Sequence, residues 1–480
     1  MVGSVLSLAR LSSASWKQKW PLISTTSSQH AARSGLSHCT TALSGSGGTC
    51  NPLVFMHTFS CNRSVHVSAT HNFSSSSSSS GSLPDPSPID HFDICIVGGS
   101  IIGTAAACAI AHSPYTSGKR IALVEAGNIF GVPTLTQGQF ANRIGVWAAI
   151  PDKHDYSKMC VWDSSSDGMM HFEANEAHLT LPDSSPAIGW IVQNHQIQAA
   201  LAELIQRTPA ITLFNSSAVT SISNDNPSCF PSVALNSGDR FSCQLLIGAD
   251  GGNSKVREFA GIQSIGWDYD GHGLVATLEI QNDSNCNDTA WQRFLPTGPI
   301  AILPLSSTKS SMVWSTTPAI AAKLLKLSDE DFVELVNAAL HNPRSPHRVV
   351  RVQPKSRAAF PLRLRNSTAY TGRRVALIGD AAHTIHPLAG QGLNLGLADA
   401  QALSKAIVDA AKHGGDLGSD VVCDVYARER FAKSLSMLGA VDGVSRVFGG
   451  MLPSSLRGMG MNAINSSDLL KKAFMAMASA

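Results

Sequence analysis

Acidic residues are missing from the first 84 positions of this 480-residue chain, while Arg10, Lys17, Lys19, Arg33 and Arg63 are scattered through them. The background is Ser, Thr and Ala, the composition of a mitochondrial or plastid transit peptide. A secretory signal is disfavoured, because the apolar stretch 2–9 is short and runs into Arg10 and a long polar segment. Residues 74–80 are all serine and Pro84, Pro86 and Pro88 follow, which reads as a flexible linker. Folding is therefore expected to begin near Ile89. The basic excess belongs to the leader. Of 36 basic and 34 acidic residues, positions 1–88 hold five and one, leaving 31 against 33 and a net charge of −2. That balance removes the support for a nucleic-acid-binding protein.

Other absences narrow the class further. The ten cysteines show no CxxC and no Cys/His ligand spacing, so neither a disulfide framework nor a metal site is expected. No window of about 18 uninterrupted apolar residues suggests a membrane span. The richest one, 93–111, is interrupted by Gly98, Gly99 and Gly103. With 43% hydrophobic and 15% charged residues, the chain has ample material for a core, and its length suits two interleaved domains.

What is present is a series of strand-to-turn motifs. Ile94, Cys95, Ile96 and Val97 form the apolar run of a buried parallel strand, followed by Gly98, Gly99, Ser100 and Gly103 and then a small-residue helix starting at Ala105. The glycines suit a tight turn, close approach to a pyrophosphate, and helix-on-strand packing. A helix N-terminus adds free N–H groups for the phosphates. Ser100 stands where the pattern wants its second glycine. A second strand, 121–124, ends in Glu125 at the distance expected of a ribose-binding acid. Against a plain turn followed by an exposed glutamate, the order of strand, turn, helix, strand and acid favours a dinucleotide site.

Two later motifs have the same logic. Residues 245–257 run from a buried strand through Asp250 and Gly251 to a helix start, in the pattern GADGxxSxVR. Residues 374–383 are again strand then turn, ending in Gly379, Asp380 and His383. His386, Pro387, Gly390, Gln391, Gly392 and Asn394 follow, and Leu403, Ala406, Ile407 and Ala410 mark one face of a helix. Gly390 and Gly392 leave main chain open to close approach that side chains would block. His383 and His386 are weak metal candidates, since no acidic partner or third ligand is spaced to join them. Between these motifs, 274–280, 300–305 and 311–315 read as strands of an antiparallel sheet that roofs an apolar pocket. Trp291, Phe294 and Trp314 are equally suited to line that pocket or to fill its core.

The three motifs together resemble those of flavin-dependent aromatic-ring hydroxylases. RFLPTGPIAILPL at 293–305, VWS at 313–315, KSRAAFPL at 355–362 and IGDAAHTIHPLAGQGLNLG at 378–396 are similar to the ubiquinone-biosynthesis flavin monooxygenases of eukaryotes and their bacterial counterparts. The resemblance runs from about residue 92 to the end. It implies an α/β fold, α+β overall: a Rossmann-like FAD-binding domain, an interleaved antiparallel-sheet substrate domain and a C-terminal helical region. The expected boundaries are 1–88 leader and linker, 89–265 and 361–415 for the two parts of the FAD-binding domain, 266–360 for the substrate sheet, and 416–480 for the helices. The resemblance places Asp250 and Gly251 near the FAD pyrophosphate, Asp380 on the ribityl hydroxyls, and Pro387, Gly390, Gly392 and Asn394 against the isoalloxazine. Arg143 matches a family position near the flavin, but the segment after it is shorter by one helix.

The implied activity is hydroxylation at ring carbon 5 of a polyprenylated phenol or benzoate, with O2 as co-substrate and the hard chemistry supplied by FAD. No residue is singled out as a catalytic acid or base. Implied partners are a ferredoxin with its reductase, other ubiquinone-biosynthesis proteins, and the matrix face of the mitochondrial inner membrane, touched peripherally. The competing readings are another aromatic hydroxylase of this fold, or a flavin-poor scaffold in a biosynthetic complex. Ser100 and the shortened segment favour the scaffold.

Overall fold

The computed structural model describes residues 5–7, 90–130, 146–175, 187–224, 230–281, 286–341, 348–387 and 390–472. Arg143, the shortened segment beside it and nearly all of the leader lie outside the described residues. In chain order the elements that build the site begin with strand β1 (Asp90–Val97), helix α1 (Ile101–Ala111) and β2 (Ile121–Val124). Next come β3 (Lys158–Asp163), β4 (Met169–Glu173), α2 (Asn194–Gln206), β5 (Ile211–Phe214) and β6 (Arg240–Gly248). The middle of the chain gives β7 (Ser264–Gln281), β8 (Thr289–Leu295), β9 (Gly298–Pro304) and β10 (Lys309–Thr316). The last part gives β11 (Ala358–Ser367), β12 (Val375–Leu377), α3 (Gln391–Lys412), α4 (Asp420–Arg446) and α5 (Ser454–Asn465).

One sheet has the order β12-β6-β1-β2-β5, with every one of these neighbours parallel. Its central strands are covered on both faces, which is why Ile94, Cys95, Ile96, Leu245, Leu246 and Ile247 form unbroken apolar runs and are fully buried. Parallel neighbours require crossovers, and helices such as α1 provide them. On α1 the run of Ala105, Ala106, Ala107 and Cys108 is buried, so small side chains permit close seating of the helix. Gly103 Cα leaves no room for a substituent: a Cβ there would lie 1.9 Å from the Gly98 carbonyl oxygen.

The second sheet has the order β11-β7-β10-β9-β8-β3-β4, and its pairs are antiparallel except β8 with β3. β3 and β4, from outside 266–360, thus join it at one side, and β11 at the other side runs past residue 360. Residues 291–295, left between strands by the sequence reading, belong to β8, and Trp291 pairs with Ile302 of β9. The alternation along β8, with Ala290, Gln292 and Phe294 buried and the intervening residues half-buried, is the period-two pattern of a sheet with two unlike faces. A small separate sheet pairs Lys153–Tyr156 with Gly189–Gln193, and Val5–Ser7 also pairs with Gly189–Gln193.

Candidate active site

The three glycine turns meet at the C-terminal ends of β1, β6 and β12, where ligands bind in open α/β sheets. Main-chain hydrogen bonds lock the row together. Gly98 N–H donates to Val124 at 2.8 Å, Ala249 N–H to Val97 at 2.8 Å, and Ile378 N–H to Gly248 at 2.9 Å. Gly98 has φ +108°, and a Cβ on it would lie 2.2 Å from the Ala249 carbonyl oxygen. The first and second turns therefore touch through bare main chain, which two side chains would prevent.

These turns form one side of a chamber of about 1150 Å³. Of the residues singled out by sequence, Gly98, Glu125, Asp250, Gly251, Asp380, Pro387, Gly390 and Gly392 line it. Gly99, Gly103 and Asn394 sit just behind the lining. Glu125 accepts from Gly99 N–H at 2.6 Å and from Gly127 N–H at 2.7 Å, so the carboxylate that ends β2 is steered onto the first turn. Gly99 is consequently a support of Glu125, and a Cβ there would lie 2.7 Å from the Glu125 Cβ. Asn394 donates to Gln391 Oε1 at 3.3 Å within α3. Ser100 is exposed on the chamber wall at the N-terminus of α1, with extended backbone (φ −73°, ψ −177°), so the departure from glycine meets no steric obstacle.

The second turn is held by its own acid. Asp250 Oδ2 accepts from Lys255 N–H at 2.8 Å, while its Oδ1 is buried with no hydrogen-bond partner. A buried acceptor without a partner costs free energy, and a ligand hydroxyl or N–H would satisfy it. Arg257 donates to Gly252 at 2.6 Å and across to Ala381 at 2.9 Å, tying the second turn to the third. Its place in the SxVR pattern was visible, but the bridge joins residues 124 positions apart and had no local signal.

In the third turn Gly379 takes φ +60° and Gly390, at the start of α3, takes φ +63°. Asp380 is open to the chamber, yet the surrounding walls raise its pKa, with His383 offsetting part of the rise. His386 is 3% exposed, and burial lowers its pKa to about 4, so its imidazole is neutral at pH 7. Tyr269 meets it edge-on at 5.0 Å and donates to Asp442 at 2.7 Å. His383 corrects the sequence reading, which gave it no acidic partner: Asp399, sixteen residues along, lies 2.6 Å from its Nε2. One full helix start intervenes, and α3 folds back to bring the two together.

The opposite wall is apolar. Val161, Met170, Phe172, Phe294 and Ala301 come from the second sheet, and Met437, Val441, Val444, Phe448, Met461 and Ile464 from the C-terminal helices. Phe294 stacks on Phe448 with ring centroids 3.6 Å apart. Of the three aromatic candidates only Phe294 lines the chamber; Trp314 and Trp291 pack in or against the core on the other side of the sheet. Period-two alternation decides this, since Phe294 lies an odd number of residues from Trp291. Arg457 lines the chamber as well and pairs with Asp163 at 3.2 Å.

Main-chain turns for phosphates and a flat ring, an unpaired buried acceptor on Asp250 and an apolar wall across from them fit a flavin adenine dinucleotide with an aromatic substrate beside it. The class so defined is the FAD-dependent monooxygenase. The model of the FAD binding domain matches residues 141–437. The chain is 37% identical to "Ubiquinone biosynthesis monooxygenase COQ6, mitochondrial" of Xenopus tropicalis, over 81% of this chain and 93% of that protein. It is 34% identical to the Homo sapiens protein of the same name, over 81% and 92%. Among solved structures, p-nitrophenol 4-monooxygenase PnpA from Pseudomonas putida superposes with a TM-score of 0.62 at 16% identity, over 81% of this chain and 98% of that one. PqsL from Pseudomonas aeruginosa gives 0.58 at 19% identity, over 78% and 100%, and these two support the fold alone. The chain belongs to the ubiquinone biosynthesis monooxygenase family of FAD-binding proteins, and its cofactor is FAD.

Proposed function

We propose that this chain hydroxylates the aromatic ring of a polyprenylated phenol or benzoate at ring carbon 5 during ubiquinone biosynthesis. The observation that carries the reading is the continuity of one chamber from the polar turns at the strand ends to the apolar wall of the second sheet and C-terminal helices. A prenylated ring matches such a wall, and its polar face is free to meet the cofactor. Bound and reduced FAD supplies the activation of O2 from which one oxygen atom passes to an electron-rich ring.

The protein's part is binding, orientation and exclusion of water. Glu125 would accept from the ribose hydroxyls, and the main chain of Gly98 would admit the pyrophosphate, with Gly99 and Gly103 supporting the turn from behind and Asp250 and Gly251 beside it. Asp380 would hold the ribityl hydroxyls. Pro387, Gly390, Gly392 and Asn394 form the stretch against the isoalloxazine, where N–H groups opening α3 favour negative charge on the ring. Arg143, outside the described residues, is assigned near the flavin by the family resemblance alone. Phe294 and Phe448 would confine the substrate ring. His386, neutral near pH 7, adds no positive charge beside the flavin.

The proposed setting is the mitochondrial matrix, with residues 1–88 as the address and peripheral contact with the inner membrane. The relatives' printed names say mitochondrial, and among the described residues no helix is long and apolar enough to cross a membrane. Electrons would come from a ferredoxin and its reductase, and other ubiquinone-biosynthesis proteins would be neighbours in a complex. Product analysis in cells lacking the gene tests the central step. Accumulation of a prenylated phenol without the ring-carbon-5 hydroxyl supports it; accumulation of an intermediate blocked at another position overturns it.

A further inference from the structure

Beneath the third turn lies a charged group that does not line the chamber. Asp399 of α3 is fully buried, and His383 and Arg430 are 2% and 4% exposed. Asp399 Oδ2 accepts from the main-chain N–H of Gly379 at 3.1 Å and lies 2.6 Å from His383 Nε2. Its Oδ1 accepts from Arg430 Nε at 2.8 Å. Arg430 stands on α4 and also donates to the Leu395 carbonyl of α3 at 3.4 Å. One arginine from the C-terminal helix therefore neutralises the carboxylate that grips the residue immediately before Asp380.

The chemistry of the contact indicates its purpose. A buried ion pair is a weak source of stability, since apolar side chains of similar volume hold two helices together at least as well. What such a pair does supply is direction, because its hydrogen bonds are satisfied in one geometry only. Here the direction is passed to a main-chain N–H in a turn at φ +60°. Glycine there has freedom to rotate that a hydrogen bond to Asp399 removes.

We propose that Arg430 is a positioning residue for the flavin, acting through Asp399 to fix the Gly379–Asp380 main chain and so the direction in which Asp380 presents its carboxylate. The C-terminal helix is then part of the cofactor site without touching the cofactor. The inference rests on the assignment of Asp380 to the ribityl chain of FAD, so the unaltered chain must first purify with flavin. A colourless unaltered chain would remove that assignment, whereas the variants below bear on the Asp399–Arg430 pair.

The test uses the full chain, stripped of flavin and titrated with FAD, with the visible circular dichroism of the bound flavin and the thermal melting of the apoprotein read in parallel. Arg430→Met is expected to bind FAD at least tenfold more weakly and to alter the flavin dichroism, and Arg430→Lys to recover most of both. Arg430→Met leaves Asp399 charged and unpaired, which can unfold the chain. The double variant Asp399→Leu with Arg430→Met leaves neither charge behind and separates the two roles. A positioning role predicts that it still melts cooperatively, at a temperature lowered by the loss of the Asp399 bonds to Gly379 N–H and His383, yet binds FAD at least tenfold more weakly. Binding within threefold of the unaltered chain, with the same flavin dichroism, would show that the group only staples helices and would overturn the proposal.

Discussion

The two walls of the chamber are made in different ways. The wall at the strand ends is main chain, brought close by Gly98, Gly379 and Gly390 at positive φ and braced by acids that bind neighbouring N–H groups. The facing wall is side chain, assembled from β3, β4, β8, β9 and the C-terminal helices, from Val161 to Ile464 in sequence. Main-chain surfaces tolerate few residue types, because a single Cβ blocks them. Apolar side-chain surfaces tolerate many, because volume and not identity decides the packing. The first wall should therefore fail sharply and lose flavin; the second should fail gradually and lose substrate.

The largest expected effect is at the contact between turns. Gly98→Val places a branched side chain where a Cβ already meets the Ala249 carbonyl at 2.2 Å, in a backbone region that β-branched residues avoid. The variant should retain no measurable FAD after gel filtration. Retention of flavin by a folded Gly98→Val chain would show that the two turns separate more easily than the hydrogen bonds from Gly98 and Ala249 suggest.

Next in size is a pH effect from the buried His386 beside the third turn. The pKa of His386 falls from 6.5 to about 4 on folding. Between those values the unfolded chain binds the extra proton, so stability rises with pH across the window and is lost as pH falls from 6.5 towards 4. The full span is worth on the order of 3 kcal/mol. Replacing His386 by Asn should flatten this part of the stability profile in denaturant titrations, and an unchanged slope would locate the titrating group elsewhere.

Asp380→Ala removes a carboxyl acceptor from the cofactor side without filling the chamber. Loss of its hydrogen bonds should weaken FAD binding by about 1.5–3 kcal/mol, read by titrating flavin into the apoprotein. Full flavin occupancy at limiting FAD would contradict the role given to Asp380. The smallest effect belongs to the facing wall. Phe294→Leu gives up the stack on Phe448, worth about 1 kcal/mol of stability, and should leave FAD retention as it was while raising KM for the prenylated substrate. Equal loss of flavin in this variant would erase the distinction between the walls.

The same distinction explains what the sequence disclosed. Ile94 to Val97, Gly98 and Glu125 sit within thirty-five residues of one another, and their order alone implies strand, turn, helix and acid. Asp250 and Asp380 follow buried strands in the same way. Trp291 and Phe294 were left undecided because 291–295 was read as lying between strands, and only its pairing and register show which face looks into the chamber. β3 and β4 escaped notice as parts of the second sheet, since β3 pairs in parallel with β8 from 131 residues away: Lys158 stands opposite Thr289. Asp399 and Arg430 escaped for another reason. Asp399 sits in a run of Ala and Leu and Arg430 among charged residues, each on a helix, and only the fold reveals that both face inward beneath Gly379.

The account stands or falls on the three turns forming one cofactor site. Purification of the chain from Ile89 onward, followed by acid release and chromatography of any bound flavin, measures this directly. The result expected is a yellow protein that releases FAD in amounts approaching one per chain, none of it covalently attached. A folded, colourless protein that takes up no FAD from solution, or one that releases a mononucleotide instead, would contradict it.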